Sequence, residues 1–257
     1  MSWQPTAPLQ ASGRLFAFGL DVVRGLPRRP FQWQEFVRQA WFLAGVTIVP
    51  TALVAIPFGA VIALQVGGLI RQFGAQSFAG AAMVLAVVRE ASPIATALLI
   101  AGAGGSAICA DLGSRTIREE IDAMRVLGID PLHRLVVPRV LAAMFVAVFL
   151  NGLVSVVGVI GGYVFNVVLQ GGTPGSYIAS FTALAQLPDL WAGEVKALVF
   201  GLVAAVVASY KGLNAGGGPK GVGDAVNQTV VITFMLLFFA NFVMQAIYFQ
   251  LVPPKGA

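Results

Sequence analysis

Charge, cysteine and histidine are all scarce in this chain. Of 257 residues only 11% are Asp, Glu, Lys or Arg, and there is one cysteine and one histidine. A lone Cys109 excludes an internal disulfide, and no Cys/His cluster has metal-ligand spacing. One histidine, His133, in a loop after Pro131, reads as solvated, and no Ser–His–Asp arrangement is suggested. No GxxxxGK[ST] occurs; the glycine-rich AGGGPKGVG at 215–223 reads as a flexible turn. Any ATP-driven work therefore needs ATP and Mg on another chain. Residues 1–30 lack a basic start followed by a clean apolar core, so no cleavable signal is expected. Strict period-two alternation is also missing, which argues against a lipid-facing barrel.

What is present is apolar: 58% of the residues are hydrophobic. A typical soluble domain carries about 25% charged residues. Runs at roughly 41–70, 78–110, 140–169, 195–210 and 226–251 read as five membrane spans, and backbone satisfaction in lipid makes them helices. Pro50 and Pro57 predict a kink or division in the first span. Gly158 and Gly162 give the third a GxxxG spacing. Residues 12–26 place Leu15, Phe16, Leu20, Val23 and Leu26 against Arg14, Asp21 and Arg24, the pattern of an interfacial helix lying on the membrane. The fold class is an all-α integral membrane protein, one membrane domain over 1–257.

Positive charge fixes the expected orientation. Arg14, Arg24, Arg28, Arg29 and Arg38 lie in the N-terminal arm. Arg115, Arg118, Arg125, Arg134 and Arg139 lie between spans two and three, and Lys211 and Lys220 between four and five. The opposite loops hold only Arg71 and Lys255. The N-terminus is therefore expected in the cytoplasm and the C-terminus outside.

The most informative stretch is GSRTIREEIDAMRVLGIDPLHRLVVPR at 113–139, a charged island between two apolar runs. Such an island is expected to lie in water. Within it Ile117, Ile121, Met124 and Leu127 recur at helical spacing and Gly128 follows as a stop. A short helix over 117–128, rich in Glu119, Glu120 and Asp122, suits docking of a soluble partner. Inside the membrane runs, Glu90 is costly to bury and faces a partner or a cavity. Lys196, opening the fourth span from the same side, is the expected partner; the alternative is pairing with neighbouring Arg89. Gln65 at the outer end of the first span, and Asn241 and Gln245 one turn apart on the fifth, either line a cavity or bond a neighbouring helix.

Several segments taken in order resemble the MlaE/YrbE permease family, the membrane subunits of Mce-associated lipid ABC transporters. They are VREASPIATALLIAGAGGSAICADLG (88–113), EEIDAMRVLGIDPLHRLVVPR (119–139), VKALVF (195–200) and YKGLNAGGGPKGVGDAVNQTVV (210–231). The resemblance runs from about residue 12 to 250. It implies an interfacial helix, five membrane helices and a coupling helix set into a cytoplasmic ATPase dimer. Glu119, Glu120, Ile121, Asp122, Met124, Leu127 and Gly128 would make that contact. It also implies a second permease subunit, Mce-domain proteins outside the membrane, a lipid substrate, no nucleic acid, and a place in a bacterial inner membrane. Glu90 and Lys196 match an acid of the second span facing a lysine of the fourth, and Gln65 matches a glutamine of the first. Many members carry an arginine within the segment that here reads AGAGGSA, where this chain has Ala103 or Gly104. The variant looks like the actinobacterial branch, for which a heterodimer and lipid import are the expectation. An ion-coupled secondary transporter working through Glu90 and a non-transporting scaffold are the alternative readings.

Overall fold

The computed structural model describes residues 7–28, 31–74 and 78–251, and no strand forms among them. Arg29 and Lys255, which enter the charge count, lie outside these residues. Among the described residues five helices are long and apolar enough to cross a membrane: Trp33–Ile70, Ala79–Ile117, Leu132–Leu169, Leu187–Leu213 and Gly218–Leu251.

The elements in order begin with α1 (Ala7–Gly25) and α2 (Trp33–Gln72). The second span is composite: α3 (Ala79–Met83), a π-helical stretch Val84–Ala91, α4 (Ser92–Leu99), a second π turn Ile100–Gly104, and α5 (Gly105–Ile117). A short α6 (Glu120–Val126) follows. The third span is a π turn Leu132–Val136, α7 (Val137–Tyr163) and a closing π turn Val164–Leu169. Then come α8 (Pro174–Leu184), α9 (Leu187–Leu213) and α10 (Gly218–Leu251).

Several boundaries differ from the sequence reading. α2 runs unbroken through Pro50 and Pro57 rather than dividing. Each proline removes one backbone donor, and the helix continues past it. The fourth span is not 195–210 but a 27-residue helix from Leu187 to Leu213. Pro188 stands in its first turn, where a missing N–H costs nothing, and Asp189 there suits the positive end of the helix dipole. The glycine-rich segment is mostly helix: α10 starts at Gly218, which has φ +74°, and takes in Pro219 and Lys220.

The core lies between α5, α7 and α9. Ile100, Ile108, Leu112, Leu150 and Phe200 are its large members, and Ala143, Ala147, Ala204 and Ala208 let the backbones close up. α2 lies along α7, and α10 covers α5 and α9. α2 and α10 keep long apolar faces outward, among them Trp41, Leu53 and Ile56 on the first and Met235, Phe239 and Phe242 on the second. In a bilayer such faces need no protein cover, because lipid tails are as apolar as leucine. α1 rests on α9 through Phe18, whose ring lies 5.5 Å from that of Tyr210, and through fully buried Val22. Phe16, Leu20 and Val23 face outward, as an interfacial helix requires.

Small residues set the helix spacing. A Cβ built on Gly201 would lie 2.7 Å from both the Ala143 carbonyl oxygen and Met144 Cα on α7. Gly158 meets Gly59 of α2 across its bare face, where a Cβ on Gly59 would stand 3.0 Å from Gly158 Cα. Gly201→Ala is thus expected to lower stability by about 1–3 kcal/mol through overpacking. Gly161→Ala, with nothing within 4 Å of the new carbon, should not. Thermal unfolding of the detergent-purified variants measures both; equal midpoints would mean α7 and α9 separate at no cost.

Candidate functional site

Three chain segments converge at one end of the bundle: the π-helical stretch with Arg89 and Glu90, the first turns of α9, and the last turns of α10. Asp189 is almost completely buried there. Arg89 donates to its Oδ1 from Nε at 2.9 Å and from Nη2 at 2.5 Å. Tyr248 OH donates to the same oxygen. Arg89 Nη2 also reaches Tyr248 OH at 3.3 Å, and its guanidinium carbon lies 5.1 Å from the Tyr248 ring centroid. Such additional bonds help make a buried ion pair tolerable, while the other Asp189 oxygen, Oδ2, stays buried without a partner.

Lys196, 2% exposed, sits beside this triad but serves other acceptors. Its Nζ donates to Gln245 Oε1 at 2.5 Å and points at the Arg89 carbonyl at 3.5 Å. Sequence explains that carbonyl. Pro93 stands four residues on and has no N–H, so Arg89 O lacks its α-helical donor. Glu90 is half-buried and feels the charges of Lys196 and Arg89, yet among the described residues it forms no ion pair within 4.0 Å. The expected direct Glu90–Lys196 bridge is therefore replaced by Lys196–Gln245, and the alternative Glu90–Arg89 pair by Arg89–Asp189. Gln65 lies on the exposed surface of α2, and among the described residues it bonds to nothing. Asn241 keeps a buried oxygen, Oδ1, without a partner.

A second charge cluster occupies the opposite end. Arg139, read from sequence as part of the solvated island, is fully buried. Its Nη2 donates to Asp111 Oδ2 at 2.5 Å and its Nη1 to the Leu135 carbonyl at 2.8 Å, with Glu35 Oε1 at 3.6 Å from Nη1. One guanidinium thereby ties α2, α5 and α7 together. Arg115 continues the chain of charges, from Asp111 at 3.3 Å to Glu120 of α6 at 3.6 Å, and Arg118 holds Glu120 at 3.2 Å.

α6 differs from the expected 117–128 helix. α5 runs to Ile117, and the chain breaks at Glu119, whose φ of +60° is the only positive value for a non-glycine among the described residues. The helix itself is Glu120–Val126, and Gly128 at φ +72° ends it. Ile121 is buried in the chain's own core and Met124 packs against it, so neither is presented outward as expected. The outward face carries Glu119, Asp122, Arg125, Val126 and Leu127, with Val126 87% and Leu127 74% exposed. Asp122 pairs with Arg125 at 2.8 Å on that face. His133, read from sequence as solvated, is half-buried, with Nε2 3.3 Å from the Arg28 carbonyl oxygen.

The order of these features along five spans is a family pattern, and comparison with known proteins settles which. The family described as Permease MlaE matches residues 36–247. The chain belongs to this family. A probable ABC transporter permease protein of Synechocystis is 35% identical over 209 residues, covering 81% of this chain and 80% of its own. One from Rickettsia bellii is 30% identical over 241 residues, covering 94% and 93%. The intermembrane phospholipid transport system permease protein MlaE of Haemophilus influenzae is 27% identical over 241 residues, covering 93% and 92%. The chain is thus a multi-pass transport permease, and its two charge clusters lie at opposite ends of the membrane bundle of an MlaE-family protein.

Asp189, Tyr248 and Arg139 were missed by sequence reasoning. The signal for Asp189 was Leu187-Pro188-Asp189, a proline and an acid where a helix starts. Tyr248 gave no signal, since an aromatic near a span end is ordinary. Asp189→Ala, which strands the Arg89 charge, is expected to cost about 3–5 kcal/mol, whereas an Arg89→Met/Asp189→Leu double variant recovers most of it. Thermal unfolding of the purified variants decides; an equal loss in single and double variants would assign the cost to packing instead of charge.

Proposed function

We propose that this permease is the membrane subunit of an ATP-driven Mce-type lipid transporter in a bacterial inner membrane. The N-terminus and α6 face the cytoplasm and the C-terminus the periplasmic side, following the arginine and lysine asymmetry. ATP and Mg bind a separate cytoplasmic ATPase dimer. A second, different permease pairs with this chain, and Mce-domain proteins stand outside the membrane. Lipid moves inward, a direction that rests on the resemblance to the actinobacterial branch alone. The lipid assignment draws support from the Haemophilus relative, whose name specifies phospholipid transport.

The observation that carries the reading is α6. A helix of 7 residues between two spans exposes Val126 and Leu127 at the charged end of the bundle. Exposed apolar side chains flanked by Glu119, Asp122 and Arg125 suit insertion into a groove of a soluble partner. The inward half of α6, Ile121 and Glu120, locks it to α5 through the core and through Arg115 and Arg118. A push on the outer face is then delivered to the membrane helices and is not lost in a loop. Glu119, Asp122 and Leu127 are the contact residues, Gly128 the stop, and Ile121 and Met124 the anchor.

The test is isolation of the complex from its native membrane in mild detergent. A Val126→Asp/Leu127→Asp variant should lose the ATPase by at least about tenfold while keeping the wild-type unfolding midpoint, because neither side chain belongs to the core. Co-isolation of an ATPase that survives this variant would remove α6 as the docking element. A stable complex holding no ATPase would overturn the ATP-driven reading and favour ion coupling through Glu90.

A further inference from the structure

A cavity of about 310 Å³ opens between α7, α8, α9 and Val88 of the π-helical stretch. Its walls are apolar, with Val156, Ile160, Phe181 and Leu190 among them, and its polar residues include Asn151 and Glu194. The helical phase of α9 separates it from the cluster above. Leu190 and Glu194, one turn apart, face α7, while Lys196 and Tyr248 line the other side of α9 toward α10.

Asn151 is 2% exposed and donates Nδ2 to Glu194 Oε1 at 3.1 Å. That bond leaves two acceptors unmet. Asn151 Oδ1 and Glu194 Oε2 are buried and have no hydrogen-bond partner. Neighbouring acceptors without a donor are unusual in a folded interior, and they ask for a group that brings hydrogen. Among the described residues no donor reaches them: Arg89 and Lys196, the nearest cations in sequence, are committed to Asp189 and Gln245, and the Ser155 hydroxyl, which also lines the cavity, bonds to neither. Glu194 is half-buried and its terminal torsion is soft, so its carboxyl turns toward the cavity at little cost. Gly152 preserves the space, because a Cβ there meets only Glu194 Oε1, at 4.0 Å.

We propose that this cavity is a lateral binding site for the polar end of a single lipid whose head donates hydrogen bonds, a hydroxyl or a primary ammonium. The volume is at the low end of ligand pockets, about 300–1,000 Å³, and so accepts the head and the first part of a chain, not a whole lipid. The apolar walls receive that chain and Asn151 and Glu194 receive the donors. A quaternary head such as phosphocholine has no N–H and gains nothing there. Hydroxyl and ammonium share this chemistry; a charged Glu194 favours the ammonium and a neutral one the hydroxyl. The site needs only the membrane environment and no ATPase, so it stands apart from the transport reading.

The whole complex as isolated from its native membrane would be placed in nanodiscs of dioleoylphosphatidylcholine. It would be offered dioleoylglycerol or dioleoylphosphatidylethanolamine, and retained lipid counted by native mass spectrometry. At least one donor lipid should be retained about tenfold over phosphatidylcholine, equivalent to about 1.4 kcal/mol. The preferred lipid identifies hydroxyl or ammonium. Glu194→Leu, which removes an acceptor, and Gly152→Leu, which fills the space and keeps both acceptors, should each bring retention to parity. Gly152→Leu adds its side chain to open space and decides the matter if Glu194→Leu does not fold. Equal retention of all three lipids by the unaltered chain, or a preference that persists with Gly152→Leu, would overturn the site. ATPase co-isolation and lipid movement, measured on the same samples, report separately on the transport reading.

Discussion

A charge inside an apolar bundle has to be met by an opposite charge or by enough hydrogen bonds, and this demand fixes how the five spans pack. Arg139 at one end and Arg89 at the other are the two places where it is strongest. Arg139 has no exposed surface and draws Glu35, Asp111 and the Leu135 carbonyl around it, which sets the positions of α2, α5 and α7. Arg89 draws Asp189 and Tyr248, which sets α9 and α10 against the second span. Replacing such clusters with well-packed apolar groups often costs nothing. Their contribution is therefore directional: a helix that slides by one turn loses its partner and strands a charge, a state far more costly than the native one.

Apolar burial alone could not supply that precision in lipid, where helices gain little by leaving the solvent. Close contact has to come from shape. Gly201 lets α9 touch the backbone of α7, and Gly59 and Gly158 do the same for α2 and α7. The wide π turns answer a related need. Two of them adjoin prolines, Val84–Ala91 before Pro93 and Leu132–Val136 between Pro131 and Pro138, and such turns release backbone groups for other uses. Val84–Ala91 is the instructive case: Pro93 frees the Arg89 carbonyl and Lys196 points into the gap. The lysine is thereby held by Gln245 and a backbone oxygen, and Glu90 is left facing its charge at a distance.

Composition and run length made the fold class legible, because they report a bulk property, transfer to lipid, that a sequence states directly. The positions of Glu90 and Lys196 at one level were legible for the same reason: both are breaks in apolar runs. Their partners were not. Gln245 is 49 residues from Lys196, and Asp111 is 28 from Arg139. Pairing at that separation depends on helix rotation, which periodicity leaves open when every face of a span is apolar. Ile121 shows the same limit on a smaller scale. Helical spacing grouped it with Leu127, yet the break at Glu119 rotates α6 so that Ile121 enters the core and Val126 takes the outward place. The island itself misled at Arg139, since the charges before it hid its immediate apolar context, Val136-Val137-Pro138 on one side and Val140-Leu141-Ala142 on the other.

The second span contributes charged residues to both clusters. Arg89 and Arg115 are 26 residues apart on it, about 39 Å at helical rise. Its two wide turns divide that length into shorter rigid pieces. On the proposed reading, force applied at Val126 and Leu127 enters through Glu120 into Arg115 and Asp111, and Asp111 shares its carboxylate with Arg139. Moving α5 along its axis therefore strains the Arg139 cluster first, and the π turn at Ile100–Gly104 is where the strain can be absorbed or passed on. Ala103 and Gly104 carry no charge there to hold that turn in place. On that reading a push at one end of the span reaches Arg89 and Glu90 at the other only as far as the two π stretches pass it on.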